Sequence, residues 1–272
     1  MPGLPSSDDW GAASSAYAAR AVAYVTRPSA EALISWVHEI SHLSGPSTRA
    51  LDNGAGTGVV TTVLRSRFPN IPILAADLSP GILETIEKKR LSQVTCQVLD
   101  AMDLSPTIAD DTFSHTLSTL MVQFAADPLR TLKEMYRVTK PGGTLGLCLW
   151  GEVCFDAPWE ETVRLFEPEY MYPHTWTPDW ADEERLRTYI QEAGFRDVRS
   201  RTIRPRLGFE SPEVYLAFYL ESKNPEFMRG YQLWWEKGME GVMRPIFERV
   251  VKENYNGAND FDMEVFLFVA KK

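Results

Sequence analysis

A glycine-rich loop between an apolar segment and a helical segment constrains the fold of this chain more than any other feature. Residues 52–58 follow a short apolar run and carry Gly54, Gly56 and Gly58, and helical periodicity begins at Val59. Glycine permits positive φ angles and lets the backbone approach a ligand closely. A strand, such a loop and a helix in this order predict a ligand site at the carboxyl end of a strand in an open α/β sheet.

Apolar and amphipathic segments alternate along the rest of the chain. Apolar runs predict strands at residues 48–52, 71–76, 94–99, 113–120, 144–150, 195–203 and 263–270. Amphipathic or capped segments predict helices at residues 29–43, 59–68, 79–91, 127–138 and 182–193, with a turn at 140–143. Strands joined by helices form parallel sheets that are covered on both faces. We therefore expect a Rossmann-like α/β fold with a seven-stranded, mostly parallel sheet.

The pattern divides the chain into three parts. Residues 1–46 predict an N-terminal helical segment, residues 47–150 the ligand-binding core, and residues 151–272 the end of the sheet. The last part contains two insertions rich in aromatic residues, at 151–181 and 205–260. We expect the first part to cover a bound ligand and the insertions to form a helical cap around a second substrate.

Composition and charge exclude several classes of function. The 272 residues carry a net charge of −9, and an acidic chain repels phosphate backbones, so we expect no nucleic-acid partner. No apolar run approaches the roughly 20 residues that span a bilayer, and the first residues do not resemble a signal peptide. We therefore expect a cytoplasmic protein without a membrane partner, as a monomer or homodimer. Three cysteines far apart argue against a disulfide scaffold or a zinc site.

Two carboxylates follow the glycine loop at strand ends. Asp77 ends the second predicted strand and Asp100 the third. A carboxylate at the position of Asp77 can accept hydrogen bonds from both hydroxyls of a ribose. One at the position of Asp100 can accept a hydrogen bond from the amino group of an adenine. Leu78 and Met102, the latter preceded by Ala101, would place apolar walls around such a ring. The sequence therefore predicts a nucleoside site.

The spacing in the loop argues against a dinucleotide. The dinucleotide fingerprint has glycine or alanine three residues after its second glycine, and this chain has Val59 there. A bulkier residue leaves less room for a pyrophosphate. An NAD-dependent oxidoreductase is therefore the less favoured interpretation of the loop.

The order and spacing of these motifs resemble the class I S-adenosylmethionine-dependent methyltransferases. The resemblance covers residues 48–150, including the segment 137–143 before the fifth strand. It implies S-adenosyl-L-methionine as the cofactor. The residues that it assigns to the methionine portion and the floor beneath it are Asp52, Gly54, Gly56, Ser118, Thr119 and Leu120.

A more particular likeness extends across the whole chain. Residues 52–60, 77–85, 195–198 and 255–259 are similar to fungal natural-product methyltransferases, the group that contains the gliotoxin bis-thiomethyltransferase and alkaloid O-methyltransferases. In related enzymes an N-terminal segment folds over the cofactor, which implies Tyr17 near its methionine end. The likeness also implies a small hydrophobic or aromatic acceptor from secondary metabolism.

A hydroxyl acceptor often needs a general base, and histidine is the usual choice. His174, in the first insertion, is the candidate catalytic residue. His115 lies within a predicted strand and fits the core. His38 and His42 are four residues apart on a predicted helix, but no third metal ligand is evident, so we expect no metal.

The predicted function is methyl transfer from S-adenosyl-L-methionine to a heteroatom of a small molecule, with hydroxyl oxygen favoured over sulfur or nitrogen. The alternative from another functional class is a methyltransferase-like protein that binds the cofactor without methyl transfer, as a cyclase or regulator does. Methylation of protein or nucleic acid is a third interpretation, which the acidic charge and the aromatic insertions disfavour. The identity of the acceptor is not predicted.

Overall fold

A computed structural model describes residues 19–174, 178–254 and 260–272. Tyr17 and the motif at 255–259 lie outside these residues, so both stay predictions. The described residues form two compact units. The sheet unit comprises residues 26–151, 178–203 and 264–272, and the aromatic unit comprises residues 19–25, 152–174, 204–254 and 260–263.

The sheet unit contains the seven-stranded sheet that the sequence predicts. Its strands are β1 (Ala50–Asn53), β2 (Ile73–Asp77), β3 (Val94–Val98), β4 (Phe113–Thr119), β5 (Thr139–Trp150), β6 (Arg196–Ile203) and β9 (Val265–Lys271). They lie in the order β3-β2-β1-β4-β5-β9-β6. The neighbours among β1 to β5 are parallel, and β9 is antiparallel to both β5 and β6. The glycine loop therefore lies near the centre of a mostly parallel sheet.

Helices cover both faces of this sheet. They are α1 (Arg27–Ile40), α2 (Val59–Arg67), α3 (Pro80–Glu87), α4 (Pro128–Val138) and α6 (Glu183–Glu192). Side chains alternate between the faces of a strand, and β2 shows the result. Leu74 and Ala76 pack in one core cluster with Val138 of α4, while Ala75 packs in another with Leu83 of α3.

Local signals place the helix starts as predicted. Ser79, Asp127 and Asp182 each precede a helix and accept a hydrogen bond from a backbone N–H in its first turn. Such caps satisfy donors that have no partner within the helix. The predicted starts of α3, α4 and α6 are therefore confirmed.

Two predicted boundaries are wrong. The turn expected at residues 140–143 lies within β5, which begins at Thr139 and carries Gly142 at φ +74°. The helix expected to reach Leu91 ends at Glu87, and Arg90 adopts φ +47°, which is incompatible with a continuing α-helix.

The aromatic unit is mainly helical. It contains α5 (Ala157–Arg164), α7 (Pro212–Leu220), α8 (Pro225–Glu236) and α9 (Glu240–Asn254). A two-stranded antiparallel ribbon pairs β7 (Arg206–Gly208) with β8 (Asp260–Asp262). The three-part division expected from the sequence stays a prediction. In the described part of the chain, no helix is both long and apolar enough to cross a membrane.

Candidate functional site

The loop after β1 folds against the end of β2. The N–H groups of Gly54 and Ala55 both donate to the carbonyl oxygen of Ala76, at 2.8 and 2.9 Å. Gly54, Gly56 and Gly58 have φ angles of +73°, +53° and +79°. These values lie in the left-handed region that glycine adopts without steric cost. The loop therefore needs its glycines for the backbone path alone.

The three glycines differ in what surrounds them. A Cβ atom at Gly54 would overlap the side chain of Met121, and one at Gly58 would lie 2.7 Å from Cγ1 of Ile86. At Gly56 a Cβ atom would meet nothing within 4 Å in the described structure. The loop is thus packed against protein at both ends and is open at Gly56.

Asp77 ends β2 and ties the glycine loop to the start of α3. Its Oδ2 accepts from the N–H of Gly56 at 2.9 Å, and its Oδ1 accepts from the N–H of Ser79 at 3.0 Å. An ionised carboxylate has about four acceptor positions. Asp77 is only partly buried, so it is held in place while keeping capacity to accept hydroxyl donors.

Asp52 is fixed to α2 beneath the loop. Its Oδ2 accepts from the N–H and the hydroxyl of Thr61, at 3.0 and 2.6 Å. Burial raises the pKa of Asp52 to about 6, against the opposing effect of the hydrogen bonds from Thr61. Asp52 has only 1% of its surface exposed and anchors the start of α2 beneath the loop.

The end of β3 forms a tight turn. Oδ1 of Asp100 accepts from the N–H of Met102 at 2.8 Å, and Sδ of Met102 accepts from the N–H of Asp127 at 3.2 Å. Ala101 and Met102 are half-buried, and Leu78 at the neighbouring strand end is 54% exposed. The exposed side chain of Leu78 offers an apolar surface on which a planar ring of a ligand can pack.

Several buried polar atoms at the ends of β1 and β4 have no hydrogen-bond partner within the described residues, and two of them belong to fully buried side chains. These two are Nδ2 of Asn53 and Oγ of Ser118, in side chains that are 1% and 0% exposed. Asp52 pairs with Leu117 across these parallel strands, so the residues that follow them lie side by side. Leaving such groups unpaired costs about 1–3 kcal/mol each. A polar ligand at this edge would satisfy both.

The next strand pair brings a residue from α1 to the same edge. Thr119 pairs in register with Cys148, and the Cys148 thiol donates to the carbonyl of Ser29 at 3.6 Å. Burial raises the pKa of Cys148 to about 12, against a smaller effect of the Thr119 hydroxyl. Ser29 is fully buried, and its Oγ has no partner in the part of the chain that is described.

The structure therefore brings the predicted residues of the sheet unit to one edge of the sheet. It adds three that the sequence interpretation missed. Asn53 lies within the glycine motif, and its position directly after a buried strand was an available signal. Met121 directly follows the predicted fourth strand, which was also an available signal, whereas Ser29 reaches the edge only through tertiary packing.

The charge at this edge restricts what can bind. Asp52, Asp77 and Asp100 place three carboxylates at the ends of three adjacent strands. Such an arrangement favours a positively charged ligand that carries hydroxyl and amino groups, and it repels phosphates. The donor and acceptor groups suit a nucleoside attached to an amino acid and a cationic centre.

A second polar cluster lies in the aromatic unit around His174. Nδ1 of His174 lies 3.2 Å from Oε1 of Glu226, and Nε2 lies 3.4 Å from Oδ2 of Asp156. Burial lowers the pKa of His174, but the hydrogen bond to Glu226 and the charge of Asp156 outweigh it and raise the pKa overall. Burial raises the pKa of Asp156 to about 7, although the charge of His174 opposes this. The imidazole thus lies between two acids and has an increased proton affinity.

Aromatic rings pack around this cluster. The indole of Trp159 is fully buried, and its N–H donates to the carbonyl of Gly230 at 2.9 Å. The Tyr172 hydroxyl donates to the carbonyl of Glu226 at 2.8 Å, and the Tyr219 hydroxyl donates to that of Tyr172 at 3.2 Å. The aromatic insertions therefore form a packed core within their own unit.

The other histidines have partners in the sheet unit. Nδ1 of His38 accepts from the N–H of Leu43 at 3.1 Å, and its ring packs edge-on against His42. His115 is 3% exposed, and burial lowers its pKa to about 4. Among the residues that the structure describes, no group of three or more histidine, cysteine or acidic side chains could hold a metal ion.

Comparisons with known proteins find methyltransferases that are similar to this chain. Residues 51–147 match the family described as Methyltransferase domain. Methyltransferase ucsB of Acremonium sp is 28% identical over 235 residues, which cover 79% of this chain and 78% of that protein. The chloroplastic 2-methyl-6-phytyl-1,4-hydroquinone methyltransferase 2 of Oryza sativa is 33% identical over 170 residues, which cover 62% of this chain but 44% of that protein.

A solved structure shares the fold at low sequence identity. Phosphoethanolamine N-methyltransferase 2 of Haemonchus contortus, in complex with phosphomonomethylethanolamine and S-adenosylhomocysteine, superposes with a TM-score of 0.52 and 18% identity. The match covers 89% of this chain and 52% of that one. The chain therefore spans about half the length of this enzyme and of the rice relative, and most of the length of ucsB.

Proposed function

Because the chain belongs to the class I S-adenosylmethionine-dependent methyltransferases, we propose that it methylates a heteroatom of a small molecule from secondary metabolism. S-adenosyl-L-methionine is the methyl donor, and a hydroxyl oxygen of a hydrophobic or aromatic compound is the acceptor. The observation that carries this proposal is the pair of buried groups without partners, in Asn53 and Ser118, beside the open glycine loop and Asp77.

The cofactor's parts match the donors and acceptors at this edge. Asp77 keeps acceptor capacity for the two ribose hydroxyls, and the turn at Asp100 with Leu78 and Met102 suits the adenine. The open side of Gly56 leaves room for the nucleoside to approach the backbone. Asn53 and Ser118 offer hydrogen bonds to the charged groups of the amino acid end. The Haemonchus enzyme, which shares the fold, was solved with S-adenosylhomocysteine.

The chain's own residues have limited chemistry to supply. The cofactor, when bound, brings an already activated sulfonium methyl group. Orientation of acceptor, methyl and sulfur in a line can contribute about 7–11 kcal/mol to catalysis. The charges of the buried Asp52 and the partly buried Asp77 favour a cationic cofactor over its neutral product, which assists product release. His174 is the proposed base for the proton of the acceptor hydroxyl.

A mass assay tests the proposal. The protein is incubated with S-adenosyl-L-methionine and a panel of phenols, alcohols, thiols and amines, and each mixture is searched for the mass of one added methylene group and for S-adenosylhomocysteine. We expect a methylated phenol or alcohol. Methylated thiols or amines alone would overturn the choice of oxygen. Tight cofactor binding without product in any mixture would instead support a cyclase or regulator.

A further inference from the structure

The backbone that follows β4 takes an uncommon path. Leu120 adopts a φ angle of +56°, which is sterically unfavourable for a residue with a Cβ atom. Such strain persists only where the surrounding structure enforces it, and it is concentrated at functional sites. In the described part of the chain, the other non-glycine residues with positive φ are all polar or charged, namely Arg90, Gln93, Asp111, Asp197 and Lys223. Leu120 therefore marks a turn that its contacts must hold in place.

Hydrogen bonds to β5 hold this turn. The N–H of Leu120 donates to the carbonyl of Cys148 at 2.9 Å, one residue beyond the end of β4. Gln123 is 2% exposed, and its Nε2 donates to the carbonyl of Trp150 at 3.0 Å while its Oε1 accepts from the N–H of the same residue. Nε2 also donates to the carbonyl of Trp180. Gln123 thus bonds to the end of β5 as the peptide group of a neighbouring strand would.

Between these two anchors, Met121 lies on the glycine loop. A Cβ atom at Gly54 would lie 2.4 Å from Cγ and 2.6 Å from Cε of Met121. The thioether side chain therefore covers the Cα atom of Gly54, the residue that follows the buried Asn53. At Gly56, a Cβ atom would meet nothing within 4 Å in the described structure. The loop thus has a covered half beside Asn53 and an open half at Gly56.

The two halves of the loop serve different parts of the cofactor in the proposed arrangement. The nucleoside approaches at Gly56, whereas the amino acid part is bonded to Asn53 and Ser118, beside Gly54. Met121 is itself partly buried, and an apolar side chain over this region limits the access of water. Hydrogen bonds and ion pairs are stronger where water is excluded. Met121 should therefore increase the contribution of the amino acid part to the affinity, with little effect on the nucleoside.

We propose that Met121 determines the specificity of the site for the amino acid part of the cofactor, and that Gln123 is the positioning residue that holds Met121 in place. Gln123 acts through the turn at Leu120 and needs no contact with the ligand. A methionine side chain is unbranched and polarisable, which suits close packing against an extended ligand. This inference rests on the proposed function, since it takes the amino acid part to lie at the ends of β1 and β4.

Two ligands separate the parts of the cofactor. S-adenosylhomocysteine carries the amino acid part, and 5′-methylthioadenosine has the same nucleoside with a methyl group in its place. Calorimetry on one preparation gives the ratio of their dissociation constants, which a partial loss of folded protein does not change. In Met121→Ala we expect S-adenosylhomocysteine to bind about tenfold more weakly, as for the loss of one hydrogen bond to a charged group. The affinity for 5′-methylthioadenosine should stay at the wild-type value.

Two further variants sharpen this test. Met121→Leu keeps a side chain of similar volume and should keep the wild-type ratio. Gln123→Met keeps the length of the side chain but removes its hydrogen bonds to Trp150 and Trp180. We expect the ratio to change in Gln123→Met as it does in Met121→Ala. Val94→Ala, at a half-buried position where β3 begins, is the control and should leave both affinities unchanged.

An unchanged ratio in folded Met121→Ala, or an equal weakening of both ligands, would overturn the proposal. An unchanged ratio in Gln123→Met would overturn the positioning role of Gln123. These outcomes leave methyl transfer in the mass assay unaffected. A wild-type protein that binds neither ligand would instead refute the proposed function, and this inference with it.

Discussion

The two units of this protein use polar groups in opposite ways. At the strand ends of the sheet unit, buried polar atoms of Asn53 and Ser118 lack partners and the backbone at Gly56 is open. Around His174 in the aromatic unit, the imidazole pairs with two acids, and tyrosine hydroxyls bond to a backbone carbonyl and to each other within a shell of packed rings. The first arrangement is incomplete without a ligand, and the second is organised in its absence.

This difference shows which features of the chain determine the strand-end site and which determine the His174 cluster. The strand-end site depends on backbone geometry, so short local motifs at the ends of successive strands define it. The His174 cluster depends on tertiary packing, so its tuning is coupled to the stability of its unit. Substitutions should therefore affect ligand affinity in the first region, and folding stability and proton affinity in the second.

The largest expected effect is on the packing of the aromatic unit. Trp159→Ala removes a fully buried ring that packs against Phe247 and Trp235 at centroid distances of 5.1 and 5.5 Å. We expect the free energy of unfolding in urea to fall by about 3–5 kcal/mol. Leu233→Ala, at a 54% exposed position, is the control and should change it by less than about 0.5 kcal/mol. Equal effects of both changes would contradict the packed core.

The glycine loop offers a sharper test of steric fit. Gly54→Ala places a Cβ atom in the side chain of Met121, whereas Gly142→Ala has the same positive φ, +74° against +73°, with nothing within 4 Å. Both variants carry backbone strain of about 1–3 kcal/mol. We expect Gly54→Ala to unfold at a clearly lower urea concentration than Gly142→Ala. Identical midpoints would show that Met121 moves aside and that the loop is less constrained than described.

Substitution of Asp77 tests ligand affinity separately from folding stability. Asp77→Asn leaves one oxygen to accept hydrogen bonds where the wild type has two, and should weaken S-adenosylhomocysteine binding by about 1.5–3 kcal/mol in calorimetry. Asp182→Asn changes a helix cap in the same unit and should leave the affinity unaltered. A folded Asp77→Asn variant with wild-type affinity would remove the ribose assignment.

The smallest expected effect is on the pH dependence of the free energy of unfolding, which reports on the His174 cluster in the aromatic unit. The pKa of Asp156 is about 7 in the folded protein, above the ordinary aspartate value near 4. Between these two pKa values the folded state therefore binds more protons than the unfolded chain, so the free energy of unfolding falls as the pH rises from about 4 to about 7. His174, with its raised pKa, adds to the loss above about pH 6.5. Asp156→Asn should lose about 1–2 kcal/mol less than wild type between pH 5 and pH 8 in urea melts. A parallel decline in both proteins would show that Asp156 is not protonated in the folded state.

The sequence predicts the sheet unit well because its determinants are local. Strand periodicity, the caps at Ser79 and Asp127, and glycines in a fixed register act over a few residues. The carboxyl ends of parallel strands then necessarily meet at one edge, which brings Asp77 and Asp100 together. The contribution of Ser29 could not be predicted, since α1 must first pack on the sheet.

The His174 cluster illustrates the opposite case. The sequence marked His174 as a candidate by residue type, but neither Asp156 nor Glu226 stands out among the acidic residues of the chain. The partner Glu226 is 52 residues away from His174. Only the packing of α5 and α8 shows that two acids flank the ring and raise the pKa of its imidazole. The catalytic role assigned to His174 stays a prediction.

The central claim is that S-adenosyl-L-methionine is held at the strand ends by groups that otherwise lack partners. A crystal structure of the protein with S-adenosylhomocysteine tests this most directly. The account predicts the ribose hydroxyls within hydrogen-bond distance of the Asp77 carboxylate, and the amino acid end of the ligand bonded to Asn53 or Ser118. A ligand bound elsewhere, or at the same edge with Asn53 and Ser118 still unpaired, would contradict it.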